Sequence, residues 1–309
     1  LTIRYFLLCL CLSVLVFEDA GAQIKSKYLR RFRSREFGFS IGATNLIGEL
    51  GGANRIGSES FSLRDFDFPA VRPTLGFSMG FQVMDEGNVK TNLVIGYLRG
   101  NDKFTDYISR KQRNINYRSV LIELSEQFEY FLIQGKKTRT SYNLQTRNEK
   151  FSFKNLPFTL YVFTGIAGFY FNPQNQDKEG TWRNVKPYHT EGQGDVETRK
   201  KYNLVQISIP LGIGVKYPLG KGYSLGFEYG FRKTFTDYLD DASMTYFDEA
   251  YLLRNYGPKS VELSNPSGKP WLVAGQQRGD PRDKDVYLFA LITLYRDMSR
   301  ISRIRNFRF

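Results

Sequence analysis

This chain of 309 residues has one histidine and two cysteines. His189 lies in a loop stretch with no nucleophile elbow around it, and a Ser–His–Asp hydrolase would have to use it. An outer-membrane hydrolase or acyltransferase is therefore the weakest of the function classes considered. Cys9 and Cys11 both fall in an N-terminal apolar stretch, and neither follows the small residue that a lipoprotein site needs. Beyond that stretch neither disulfide nor thiolate chemistry is available. Apolar residues make up only 41% of the chain, which excludes a helical membrane bundle. A β-barrel stays open, because only alternate residues of its strands face lipid. No EF-hand spacing occurs, and Glu191-Gly192-Gln193-Gly194 has no helix signal after it, as a phosphate-binding loop would.

Aromatic residues and glycine, in contrast, are plentiful. The 26 Phe and 20 Tyr suit the aromatic girdles of a barrel, and the 28 Gly suit strands that pack closely and turn tightly. Arg4, the apolar run 5–17 and Ala20-Gly21-Ala22 form a signal-peptide pattern over residues 1–22. A basic lead-in, 23–35, follows with six Lys or Arg and no acid.

The most informative stretch is 202–235. Val205, Ile207, Ile209, Leu211, Ile213, Val215 and Tyr217 alternate with Gln206, Ser208, Pro210, Gly212, Gly214 and Lys216. After a turn at 218–222, Tyr223, Leu225, Phe227, Tyr229, Phe231 and Phe235 alternate with Ser224, Gly226, Glu228, Gly230, Arg232 and Thr234. Strict period-2 alternation means β-strands with two unlike faces. The small, polar face suits the narrow interior of a small barrel and the bulky face suits lipid. Similar runs predict strands at about 36–44, 71–83, 91–99, 116–132, 157–171 and 286–295. The faces of 91–99 are not clearly different, and 157–171 is apolar on both, so its orientation is left open. Glu126 interrupts the apolar face of 116–132, which predicts a bulge or register change there. The fold class is thus all-β: an antiparallel transmembrane outer-membrane β-barrel of about eight strands, spanning 36–296, with an Arg-rich tail at 297–309.

Long links follow the odd strands and tight ones follow strands two and six. Both termini are accordingly expected in the periplasm, with loops 45–70, 100–115, 172–201 and 236–285 outside. Glu123, Glu129, Glu228 and Arg232 are expected to point into the lumen as a satisfied polar network. An ion path or a carboxylate pair for catalysis is the competing use of those residues. Asp237, Asp240 and Asp241 are read as a hydrogen-bonded acidic extracellular rim at a strand end, with Ca²⁺ binding as the alternative. No catalytic residue, metal or cofactor is assigned. Nucleic acid is a poor partner for a basic segment behind a signal peptide.

Glu123, Glu129-Tyr130, Glu191-Gly192-Gln193-Gly194, Ile209-Pro210-Leu211-Gly212 and the run from Arg232 through Lys233, Thr234, Phe235, Thr236, Asp237, Tyr238, Leu239, Asp240 and Asp241 to Ser243 together resemble the PorG family. The resemblance covers about 36–295. It implies a non-enzymatic outer-membrane barrel of the type IX secretion and gliding machinery of Bacteroidota. It also implies contact with a periplasmic ring formed by a lipoprotein and its partner protein. Charge patterning adds a location for such contact. The lead-in, the 135–155 link (six bases, one acid) and the 296–309 end (five Arg, one Asp) are basic, whereas 236–285 carries nine acids against six bases. Arg300, Arg303 and Arg305 are the expected docking residues. The other reading is a small outer-membrane transport or ligand-binding barrel that uses its long loops.

Overall fold

The computed structural model describes residues 35–47, 70–104, 108–135, 157–279 and 284–298. The expected signal peptide, the lead-in as far as residue 34, link residues 136–156 and the tail from 299, with Arg300, Arg303 and Arg305, lie outside the described residues.

The strands are β1 (Arg35–Ile47), β2 (Arg72–Met84), β3 (Gly87–Asn101), β4 (Asn116–Ile133), β5 (Thr159–Gln176), β6 (Trp182–Asn184), β7 (Val205–Gly220), β8 (Tyr223–Thr234) and β9 (Val286–Asp297). Eight of them pair antiparallel in chain order, and β9 pairs back onto β1, so the sheet closes without a free edge. Short β6 adds only to β5. Among the described residues three short α-helices, α1 (Ile108–Arg113), α2 (Glu249–Tyr256) and α3 (Pro258–Ser264), lie in the connections. None among the described residues is long and apolar enough to cross a membrane, so any crossing falls to the strands.

The barrel is inside-out relative to a soluble protein. Phe77 and Ile207 are each 57% exposed, while Glu123 and Glu129 are fully buried. Phe37, Phe39, Ile41, Leu75, Ile95, Ile209, Ile213, Phe227, Ile292 and Leu294 continue the apolar outer wall. Such a wall is unfavourable against water and favourable against hydrocarbon, and closure leaves every ladder group paired inside the sheet. The chain is an outer-membrane β-barrel on these grounds.

The two strands without a clear sequence pattern are oriented by their neighbours. On β3, Lys90, Asn92, Val94 and Leu98 are buried and Ile95 and Tyr97 exposed. On β5, Tyr161, Phe163, Ala167, Phe169 and Phe171 point inward. Room for these rings comes from glycines on the adjoining strand β7 and on β8 beside it. A Cβ at Gly212 or Gly230, which oppose each other across β7 and β8, would lie 2.5 or 2.6 Å from Phe163 Cζ. One at Gly214 would overlap the Tyr161 ring. Missing side chains on one wall thus become aromatic filling from another, which is why both faces of β5 read as apolar. Gly214→Val should lower stability by about 2 kcal/mol through overpacking, read as a lower urea midpoint for loss of heat-resistant gel mobility. An unchanged midpoint would mean that Tyr161 has room to move aside.

Glu126 departs from expectation. Its register is unbroken against Thr91 on β3 and Ile166 on β5, so no bulge forms. The carboxylate stays on the outer wall and accepts a hydrogen bond from Thr91 Oγ1 at 2.7 Å. A cross-strand hydroxyl is the local answer to the polar group, and the backbone does not have to shift.

Connections divide the barrel into two ends. The pairs 85–86 and 221–222 join strands at one end, and Lys221 and Gly222 both have positive φ, as in a type I′ hairpin turn. The connections 102–115, 177–204 and 235–285, with α1, β6, α2 and α3, lie at the other end, whereas the long link after β4 leaves the barrel beside the 85–86 turn.

Candidate functional site

Two buried polar assemblies fill the barrel, one in the lumen and one at the long-loop mouth. In the lumen, Lys90 Nζ lies 2.6 Å from Glu129 Oε1 and also hydrogen-bonds Glu228. Lys216 Nζ bridges Glu129 Oε2 at 3.0 Å and Glu36 Oε2 at 3.2 Å. Asn88 donates to Glu129, and Tyr161 and Tyr295 both donate to Glu228 Oε1, at 2.6 and 2.7 Å. Higher in the barrel, Arg232 Nε meets Glu123 Oε2 at 3.2 Å, and Tyr287 donates to the same oxygen at 2.8 Å. Arg232 also covers the Phe289 ring, 4.4 Å from its centroid. Each carboxylate is both paired and hydrogen-bonded, the condition under which charge persists in a dry interior.

Of the four expected lumen residues, all are inside, but only Glu123 and Arg232 meet. Glu129 and Glu228 are neutralised by lysines instead. Alternation along β7 already puts Lys216 on the polar face. Lys90 escapes the sequence pattern, which starts its strand at Thr91; period-2 counting back from Asn92 would have put it in the lumen.

The mouth corrects part of the expected acidic rim. Asp237, Asp240 and Asp241 follow the end of β8 and are hydrogen-bonded, but they are buried and do not form a rim. Asp237 Oδ2 accepts from Ser243 Oγ at 2.7 Å, and Asp240 Oδ1 from the Ala242 amide at 3.0 Å. Asp241 accepts from Thr190 and from Tyr202, the latter at 2.9 Å. The central piece is Arg278, which pairs with Glu191 Oε1 at 2.7 Å with both side chains wholly buried. Glu191 also accepts the amides of Ser243 and Met244 at 3.1 and 3.0 Å. Beside it, Arg113 grips both oxygens of Asp102 at 2.9 and 3.0 Å and donates to the Arg278 carbonyl. The Glu191-to-Gly194 stretch therefore holds loops together, with Gly192 in the left-handed region against the Phe247 ring.

Burial pushes the Asp237 carboxyl up to about 8 and those of Asp240 and Asp241 up to about 6. Asp285 is also held well above the usual carboxylate range, by burial and by the neighbouring Asp240 and Asp237. No group of three or more His, Cys, Asp or Glu among the described residues is arranged to hold a metal ion. His189 serves as a strut: its Nδ1 is 3.2 Å from Asp195 Oδ2 and 3.0 Å from the Tyr256 hydroxyl, with the Tyr256 ring stacked at 4.4 Å.

The structure is similar to several small outer-membrane barrels. Neisserial surface protein A is 8% identical, with 85% of this chain and 96% of that one covered and a TM-score of 0.34. A major outer membrane protein from Thermus thermophilus is 14% identical, with 85% and 99% covered and a TM-score of 0.36. Outer membrane protein W of E. coli is 12% identical, with 85% and 98% covered and a TM-score of 0.32. No curated protein matches the chain. Residues 8–258 match the family described as "Domain of unknown function (DUF6089)", and with most of its length covered this chain belongs to that family.

Proposed function

We propose that this barrel binds and anchors and does not conduct. The observation that carries the reading is the filled interior. The Lys90–Glu129–Glu228 cluster with Tyr161 and Tyr295 occupies the lumen, and the Arg278–Glu191 assembly lies buried at the mouth. An eight-stranded barrel leaves room for side chains and little else. Function then belongs to the two rims and the outer wall.

The finer reading is a docking role in type IX secretion, at the end of the barrel where the strands turn tightly. The resemblance to the PorG family points there, and the chain geometry supports it. Arg35 and Met298 share a backbone hydrogen bond, and Gln134 reaches the carbonyl of Asp85 in the tight 85–86 turn. The points where the basic lead-in, the basic link and the Arg-rich tail join the barrel are therefore all on one rim. Exposed charge of one sign on one face speeds encounter with an acidic partner. Charge reversal at Arg300, Arg303 and Arg305 should release the periplasmic ring lipoprotein and its partner from the purified barrel. Heat-resistant gel mobility should be kept. Raised ionic strength should also weaken wild-type co-purification. Retention of the ring through both treatments would move the docking site elsewhere.

A ligand-binding barrel is the second reading, favoured by a pair of arginines on the outer wall of β3 and β4.

A further inference from the structure

We propose that Arg99, Arg118 and Trp182 form a docking site for the phosphorylated head group of an outer-leaflet glycolipid. This deepens the ligand-binding reading and rests on the long-loop end facing away from the cell.

Arg99 and Arg118 are directly opposite each other across β3 and β4. Both are on the outer wall, since their chain neighbours Leu98, Gly100, Tyr117 and Ser119 are buried. Like charges directly opposed on one face of an antiparallel pair destabilise it. Among the described residues neither guanidinium has a carboxylate partner. Arg118 uses Nε to reach Gln174 Oε1 at 2.8 Å. Its terminal nitrogens, and the whole fork of Arg99, are left for something outside the chain. Two adjacent forks of this kind match the oxygens of a phosphate, to which arginine binds in bidentate fashion.

Height on the barrel identifies the source of the phosphate. Exposed Tyr97 precedes Arg99 on the same face, and below it the wall is apolar through Ile95 and Leu93. Around and above that level the wall changes to amides: Asn116 donates to Gln176 at 2.6 Å, Gln174, opposite Arg118, donates to Asn184 at 2.8 Å, and Asn172, opposite Val120 just below, donates to Asn184 at 3.2 Å. The arginines thus mark the line where hydrocarbon gives way to head groups. Trp182 stands on that line, with Arg118 4.4 Å and Arg99 6.0 Å from its ring centre. Tryptophan favours this interface, and its ring holds both guanidiniums in place by cation–π attraction. These amides offer donors and acceptors to sugar hydroxyls. Cationic forks, an aromatic ring and amides at head-group height fit a phosphorylated saccharide carried on lipid, and the charge of the site complements it.

The test uses the full-length folded barrel in detergent with a phosphorylated lipid A-type glycolipid and its dephosphorylated form, bound lipid being counted by native mass spectrometry. The wild type should retain the phosphorylated lipid at least about tenfold better, a difference of about 1.4 kcal/mol. The double variant Arg99→Gln with Arg118→Gln should lose that preference. Equal retention of the two lipids by the wild type overturns the proposal without any variant being made. Full competition by millimolar inorganic phosphate overturns it in favour of a free-anion site. Ser267→Cys, in the long loop after β8 and outside the site, labelled on intact cells with a membrane-impermeant maleimide, tests the orientation separately. Absence of label there, with phosphate-dependent retention intact, would place the site at the inner leaflet and overturn the glycolipid assignment.

Discussion

Lys90→Met should cost the barrel about 3–5 kcal/mol, the range for removing one partner of a buried ion pair. Lys90 is wholly buried and serves two carboxylates, Glu129 and Glu228. The two are not equally dependent on it. Glu129 keeps Lys216 at 3.0 Å and Asn88 at 2.9 Å. Glu228 keeps only the hydroxyls of Tyr161 and Tyr295. Rescue should therefore be selective: adding Glu228→Gln to Lys90→Met restores much of the loss, and adding Glu129→Gln restores less and leaves Lys216 with Glu36 alone. Urea titration of folded barrel in lipid vesicles, followed by heat-resistant mobility, gives both numbers. Equal rescue by the two second-site changes would show that Lys90 acts on the pair as a unit. Arg232→Ala should cost on the order of 3 kcal/mol by the same reasoning, since it leaves Glu123 with the Tyr287 hydroxyl alone.

The parts of this architecture legible in the sequence are those that depend on local periodicity. β7 and β8 show their environment because bulky residues occupy every second position and small or charged ones the rest, so one strand suffices to tell lipid from lumen. β5 resists the same treatment because what fills its inner face is decided by glycines on β7 and β8, far away in the chain. Lumen membership was legible for Glu123, Glu129, Glu228 and Arg232, but their pairings were not. Lys90 and Glu228 are 138 residues apart, and register around a closed barrel brings them together. Glu126 shows the opposite limit, since a break in pattern reads as a backbone irregularity when a cross-strand threonine can absorb it.

The mouth misled for a different reason. Nine acids in a loop look like a solvated surface, and charge counts carry no information about burial. What buries Asp241 and Glu191 is Arg278, which lies 37 and 87 residues from them. A single arginine supplies donors to a carboxylate and to backbone carbonyls that no local segment could satisfy. The sequence therefore shows each component of the assembly and gives no sign that they are joined.

Arg278→Ala should open the loop cap while leaving the barrel folded. The change leaves Glu191 buried without its cation and frees the carbonyls of Asp241 and Ser264. A loss of about 3–5 kcal/mol falls on the cap alone, because the strand ladders of β8 and β9 end at Thr234 and begin at Val286, outside the loop. Protease should then cut within 236–279 while heat-resistant mobility of the barrel persists. Alkaline pH should have a milder effect in the same direction. Asp237 titrates at about 8 and Asp240 and Asp241 at about 6 in the folded cap, against about 4 for an exposed aspartate. The folded cap holds more protons than the open one between those values, so its stability falls as pH rises from about 4 and is lost progressively up to about 8. Protease cutting in the wild-type cap should therefore be faster at about pH 9 than at about pH 5, once the enzyme's own pH dependence is removed with an unfolded substrate. Asp237→Asn should remove the part of that dependence near pH 8, because an amide keeps the volume and never has to surrender a proton. Cutting that is independent of pH, or faster in acid, would mean that these carboxyls are charged in the folded cap and that a cation other than the proton neutralises them.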